Sequence, residues 1–254
     1  MHWVTVADSH IGGREEQQDR YLVKRSKNKT HHLLVVADGA GGHKDGAAAA
    51  QTAINYISEH ADTLRFSEDP HSAINSLIVE CNKRVLLVGD NMACSTLVLV
   101  YIRGDELFWG HVGDSRFYLV RDNQIVFQTM DHSVVELQQQ NNVYDGEISS
   151  SKLYMCLGAL ENVEPDVANG LAKEGDTLLL CSDGFWGQLE VDTFIAELSD
   201  HALTQEFIDF WINKASNLKN GNSDNITLVA TRLLKTPSLV SRLANALFGF
   251  FKKQ

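Results

Sequence analysis

Four stretches of this chain set an aspartate at one end of an apolar run. Leu33 to Ala37 leads into Asp38-Gly39, and Phe108 to Val112 leads into Gly113-Asp114. Thr177 to Cys181 leads into Ser182-Asp183-Gly184, while Asp224 opens the run that continues through Ile226 to Ala230. A carboxylate at the edge of a core is costly unless it is paired or holds a metal. Taken singly, each stretch reads as a strand and a turn in which the Asp bonds its own backbone. The repetition points further, because strand ends gather at the rim of a sheet. Two carboxylates about 4 Å apart repel by roughly 4 kcal/mol at an effective dielectric near 20. Several together need cations, or some must be protonated. Oxygen ligands with no accompanying His or Cys cluster favour magnesium or manganese over zinc. After Asp38, the glycines Gly39, Gly41 and Gly42 let the backbone turn sharply and approach a ligand.

The elements that must carry these aspartates follow from the apolar pattern. Trp3 to Ala7, Tyr21 to Arg25 and Leu33 to Ala37 read as strands. The alanine-rich segment from Asp45 to Ile57 and the segment opened by Pro70 read as helices. The second carries Ala73, Ile74, Leu77, Ile78, Cys81 and Val85 at helical spacing, as core rather than cofactor contacts. Ser95 to Ile102, Leu107 to Val112, Phe117 to Val120 and Gln124 to Phe127 read as antiparallel strands. The links Arg103–Glu106 and Arg121–Asn123 are too short for parallel crossovers, which excludes a doubly wound nucleotide fold here. A helix is expected over Val134 to Gln140. The polar stretch Asn141 to Lys152 is either an excursion over the site or a surface loop. Helices follow over Leu189 to Leu198 and Thr204 to Leu218, then a last strand from Asp224 to Arg232. Runs of strand and runs of helix with hairpins imply an α+β sandwich, sheets inside and helices outside.

Composition narrows the function. The chain has 254 residues, is 44% hydrophobic and carries a net charge of -11, with no basic stripe, so no nucleic-acid partner is expected. Cys81, Cys94, Cys156 and Cys181 are scattered. Three have apolar neighbours, as buried thiols in a reducing, cytoplasmic setting would. No signal peptide and no membrane-length run is evident. With three prolines and no low-complexity linker, one domain over 1–234 is expected, followed by a tail over 235–254. The tail is apolar and amphipathic with a basic end. It reads either as a helix packed on the domain or as a contact for a partner or membrane surface.

The ordered set Arg14…Asp19, Asp38-Gly39…Gly42-His43, Met92-Ala-Cys-Ser-Thr96, Gly113-Asp114-Ser-Arg116, Asp131-His132-Ser133, Ser182-Asp183-Gly184 and Asp224-Asn-Ile-Thr227 resembles the PP2C (PPM) metal-dependent serine/threonine protein phosphatases in their bacterial form. Each motif alone is weak, but the order is specific and spans Arg14 to Arg232. The resemblance implies a four-layer αββα sandwich of two antiparallel sheets with the active site at one rim. It implies two Mn2+ or Mg2+ ions, or three. Asp38 is the bridging carboxylate, and the Gly39 carbonyl completes one shell. Asp183 and Asp224 are ligands of one ion, Asp114 with Asp183 holds a third, and Asp19 acts through water. Arg14 is the phosphate-binding arginine, and His43 stands on the histidine of the bacterial glycine turn. The sequence departs from the pattern at Gln18 (often Glu), at Ala40 (often Met or His) and at Ala93 (Gly). It also lacks an arginine before Leu157-Gly158.

The implied reaction is hydrolysis of phosphoserine and phosphothreonine by a metal-bridging water, without a phosphoenzyme. The phosphoproteins would be substrates of an opposing bacterial Ser/Thr kinase, and the enzyme is expected to be a monomer. No C-x5-R loop and no G-x-S-x-G elbow offers a nucleophile instead. The alternative is a catalytically weak, phosphoprotein-binding relative on the same scaffold. It should have lost one of Asp38, Asp183 or Asp224, and all three are present.

Overall fold

A computed structural model describes residues 1–27, 29–40, 44–88, 93–141, 152–218 and 222–236. The strands are β1 (His2–His10), β2 (Arg20–Arg25), β3 (His31–Ala37), β4 (Gly39–Ala40), β5 (Cys94–Ser95), β6 (Leu97–Arg103), β7 (Glu106–Val112), β8 (Arg116–Arg121), β9 (Gln124–Gln128), β10 (Asp166–Leu171), β11 (Thr177–Cys181) and β12 (Ile226–Leu234). The helices are α1 (Lys44–Glu59), α2 (Ala61–Phe66), α3 (Pro70–Val88), α4 (Val134–Asn141), α5 (Asp183–Trp186), α6 (Val191–Asp200) and α7 (Gln205–Asn217).

Two five-stranded antiparallel sheets stack face to face. One has the order β1-β12-β11-β8-β9 and the other β10-β7-β6-β3-β2. The central strands are apolar throughout because both their faces are covered. In β3, Leu34 and Val36 point between the sheets, while Leu33, Val35 and Ala37 face α1 and α3. In β11, Leu178 and Leu180 join the inter-sheet core with Trp109 and Phe117. Leu179 and Cys181 face the opposite way, into the cluster built by α6 and α7. The period of two along each strand thus divides one apolar run between two cores. The layers are helix, sheet, sheet, helix, the expected α+β sandwich.

Several local expectations change. β6–β7 and β8–β9 are hairpins as read, but they belong to opposite sheets, and Gly113-Asp114-Ser115 is the crossing between them. The strand expected over Ser95–Ile102 breaks at Thr96. Its amide donates to the Asp38 carbonyl at 2.8 Å, and its Oγ1 accepts from the Asp38 amide at 3.0 Å. The helix expected from Leu189 begins at Val191. β10, α2 and the single-turn α5 gave no sequence signal. β10 carries Asn169 and Gly170, poor strand formers, and survives as an edge strand. Most of Asn141–Lys152 and the tail beyond Thr236 lie outside the described residues. No helix among the described residues is long and apolar enough to cross a membrane.

Candidate active site

The aspartates meet at one rim of the sandwich. A cleft of about 660 Å³ there is lined by Arg14, Gln18, Asp38, Gly39, Asp114, Asp183 and Asp224, among others. Asp38 caps the end of β3, and Asp183 starts α5 just beyond β11. Asp224 precedes β12, and Asp114 lies in the crossing between sheets. Four strand ends from both sheets therefore deliver four carboxylates to one place. Asp19 does not line the cleft. It is 2% exposed, within hydrogen-bonding reach of the Asp38 carboxyl, and receives a hydrogen bond from Ser182 Oγ at 2.7 Å.

Electrostatics show the cost of this convergence. Burial, then Asp19, Asp183, Asp114 and Asp224, push the Asp38 carboxyl well above its ordinary range. Burial together with Asp183 and Asp131 pushes Asp114 up to about 7. Asp19 is pushed up to about 6 by burial, against the opposing hydrogen bonds from Ser182 and Thr227. Asp183 is raised by burial and by Asp224. Without cations, these groups resist losing their protons.

The donor set fits hard divalent cations. Asp19 Oδ1 and Asp183 Oδ1 are buried with no hydrogen-bond donor. At Gly39 an added Cβ would lie 2.1 Å from the Gly46 carbonyl oxygen, so β4 and the start of α1 pack backbone to backbone beside the carboxylates. Only glycine permits that approach. Oxygen donors at this density are the environment that Mg2+ and Mn2+ select.

The supporting contacts explain the placement. Arg14 reaches the cleft and pairs with Asp224 at 2.6 Å, its side chain 60% exposed. The loop carrying it is pinned by Asn225, which the sequence reading passed over. Asn225 Nδ2 donates to the Ile11 and Glu16 carbonyls, and its Oδ1 accepts from the Gln18 amide at 2.7 Å. Trp186 was also missed. Its Nε1 donates to the Asp114 carbonyl at 3.0 Å. Arg116 lies 3.4 Å above the Trp186 ring while making a two-pronged bond to Asp131 at 2.9 and 2.8 Å. Ser182 Oγ accepts from the Thr227 amide, and its proton goes to Asp19. Cys94 and Cys156, far apart in sequence, share a thiol hydrogen bond that lowers the first and raises the second. His43, Gly42 and Met92 lie outside the described residues.

The sequence profile of the protein phosphatase 2C family matches residues 6–222. The serine/threonine phosphatase stp of Listeria innocua is 30% identical over 233 residues, covering 85% of this chain and 90% of the relative. The crystal structure of the Mycobacterium tuberculosis serine/threonine phosphatase PstP/Ppp superposes with a TM-score of 0.80 at 26% identity, covering 92% of this chain and 100% of that one. The PstP catalytic domain in complex with two manganese ions gives 0.76 at 27% identity, covering 92% and 99%. A rim of aspartates on a four-layer sandwich, a profile match over most of the length and relatives of the same size agree: this chain belongs to the protein phosphatase 2C family.

Proposed function

We propose that this protein is a Mn2+- or Mg2+-dependent phosphatase acting on phosphoserine and phosphothreonine in proteins, opposing a bacterial Ser/Thr kinase. The observation that carries this reading is the convergence of Asp38, Asp114, Asp183 and Asp224 on one cleft with Arg14 at its edge. Asp38 would be shared between two cations, with the Gly39 carbonyl on one of them. Asp183 and Asp224 would hold one cation of the pair, Asp114 with Asp183 a weaker third, and Asp19 would act through water. Bound cations would supply charge neutralisation and a water acidic enough to attack phosphorus.

The chain's own groups do the rest. A phosphate monoester is a dianion, so its barrier yields mainly to positioning and charge. Arg14 faces the cleft, and its planar fork would match two phosphoryl oxygens if Asp224, its present partner, served as a metal ligand. Gln18 offers a neutral donor and acceptor where a carboxylate would add charge. His43 falls, by the resemblance, on the histidine of the bacterial glycine turn, and it or a metal-bound water would supply the leaving oxygen's proton. Every principal aspartate is retained, which supports an enzyme over a catalytically weak binding relative.

The test is hydrolysis of p-nitrophenyl phosphate and of a phosphothreonine peptide, with added manganese and then with chelator. Asp38→Asn and Asp183→Asn should each lower metal-dependent turnover by about 100-fold or more, the scale of losing one preorganised electrostatic group. Near-normal activity in either variant would overturn the assignment.

A further inference from the structure

A second cluster of ligating side chains lies away from the aspartate cleft. His111, at the end of β7, stands directly opposite Asp166, the first residue of β10, in the antiparallel register. His132 lies in the loop before α4 with its ring stacked on His111, centroids 4.6 Å apart. One potential ligand atom from each of the three lies within 4.8 Å of the other two. The sequence could not show this cluster, since the residues are 21 and 34 positions apart and meet only through the β7–β10 pairing and the loop that follows β9.

The hydrogen bonds assign the tautomers. His111 Nε2 donates to the Met130 carbonyl at 2.8 Å, which leaves Nδ1 as a lone pair. That Nδ1 is buried with no partner, on a side chain 2% exposed. A metal-bound histidine usually donates its other ring N–H to a carbonyl in this way, which fixes the ring and raises its basicity. An unpartnered buried nitrogen is expensive, and a cation would satisfy it. Asp166 Oδ2 sits 3.4 Å from His132 Nε2, and the Asp166 side chain is 65% exposed, so the cluster opens to solvent on the side where water ligands would complete a shell.

We propose that His111 Nδ1, His132 Nε2 and Asp166 form a binding site for a zinc-class transition-metal ion, separate from the aspartate cleft, and that its occupancy slows catalysis. Two imidazoles and one carboxylate with an open position suit zinc or cobalt, and suit magnesium poorly. The coupling comes from His132. Its Nδ1 accepts a hydrogen bond from the Gly113 amide at 3.3 Å, so in the metal-free state its proton is on Nε2, facing Asp166. A metal on Nε2 moves that proton to Nδ1, where it opposes the Gly113 N–H. The long bond breaks, and the turn that carries Asp114 loses one of its ties. The His132 amide still holds the Gly113 carbonyl at 3.0 Å, so the turn loosens rather than unfolds.

The test uses the full chain with excess Mg2+, titrated with Co2+ and followed by visible absorption. A histidine-bound, low-coordinate cobalt gives intense visible bands, whereas carboxylate- and water-bound cobalt in the cleft gives weak ones. The wild type should develop the intense bands. Asp166→Asn, on an exposed position that keeps an acceptor for His132, should weaken this binding by more than about tenfold, as should His111→Ala. Absence of the bands, or a folded Asp166→Asn protein that keeps wild-type affinity, would overturn the site. A second arm, which rests on the phosphatase reading, measures Zn2+ inhibition of p-nitrophenyl phosphate hydrolysis at saturating Mn2+. Inhibition should disappear in Asp166→Asn with basal activity unchanged, and inhibition that persists in that variant would overturn the coupling. The absorption arm needs no activity, so failure of the phosphatase reading and failure of the metal site are told apart.

Discussion

Ser182 has one proton to donate and gives it to Asp19, while its oxygen accepts the Thr227 amide. This fixes a buried carboxyl against Asp38 and sets the charge balance of the cleft. The pH dependence follows from the same groups. Burial, with neighbouring carboxylates, pushes the Asp114 carboxyl up to about 7 and the Asp19 carboxyl up to about 6 from an ordinary value of 3.8. Because these folded values are raised, the native state holds its protons longer than the unfolded chain. Their contribution to stability is complete below the unfolded value and is lost as pH rises through the folded one. Metal-free protein should therefore melt at progressively lower temperature between about pH 4 and about pH 7. Cations bind the ionised acids and reverse the trend, so the stabilisation by Mn2+ should grow over the same range. Thermal melts with chelator and with Mn2+ measure both slopes. A chelated protein whose melting temperature rises across that range contradicts the crowded-acid account.

At the scale of elements, the site depends on short pieces that hold strand ends in register. Gly184, the second residue of α5, shows how tight this is: an added Cβ would lie 1.9 Å from the Asn225 carbonyl oxygen and 3.4 Å from Asp224 Cβ. Gly184→Ala must push α5 away from the start of β12 and so separate Asp183 from Asp224. We expect a loss of about 1–3 kcal/mol of stability, the usual cost of overpacking, with a larger loss of metal-dependent turnover. Denaturant unfolding and activity on the same sample check both. The long elements were legible in the sequence, because β3, β6 and β11 are apolar runs and α1 and α3 carry helical spacing over many residues. The aspartates were legible as a group because each ends or begins such a run. What escaped was set by tertiary contact. β10 exists because the edge of β7 needs a partner, although Asn169 and Gly170 argue against a strand. α5 is one turn long, too short for any period. Asn225 and Trp186 act through bonds to backbone carbonyls distant in the chain, and no local pattern encodes those.

For the molecule as a whole, the last strand among the described residues, β12, ends at Leu234 opposite His2 of β1. Among the described residues, the three apolar clusters that hold the layers together draw on positions from Trp3 to Leu233. Residues 237–254 follow β12 in the chain. Their sequence, with Phe248, Phe250 and Phe251 before Lys252 and Lys253, has the apolar and basic character of a segment that meets another surface. Two readings give opposite results on truncation after Thr236. If the tail packs on the domain, removing it uncovers apolar surface, and at about 25 cal/mol per Å² even a few hundred Å² would lower the melting point clearly. If it serves a partner or an anionic membrane surface, turnover of p-nitrophenyl phosphate and the melting point should stay as they were. Co-sedimentation with anionic lipid vesicles, or localisation in cells, should then change. A truncated protein that loses stability and leaves localisation unchanged would favour the packed helix.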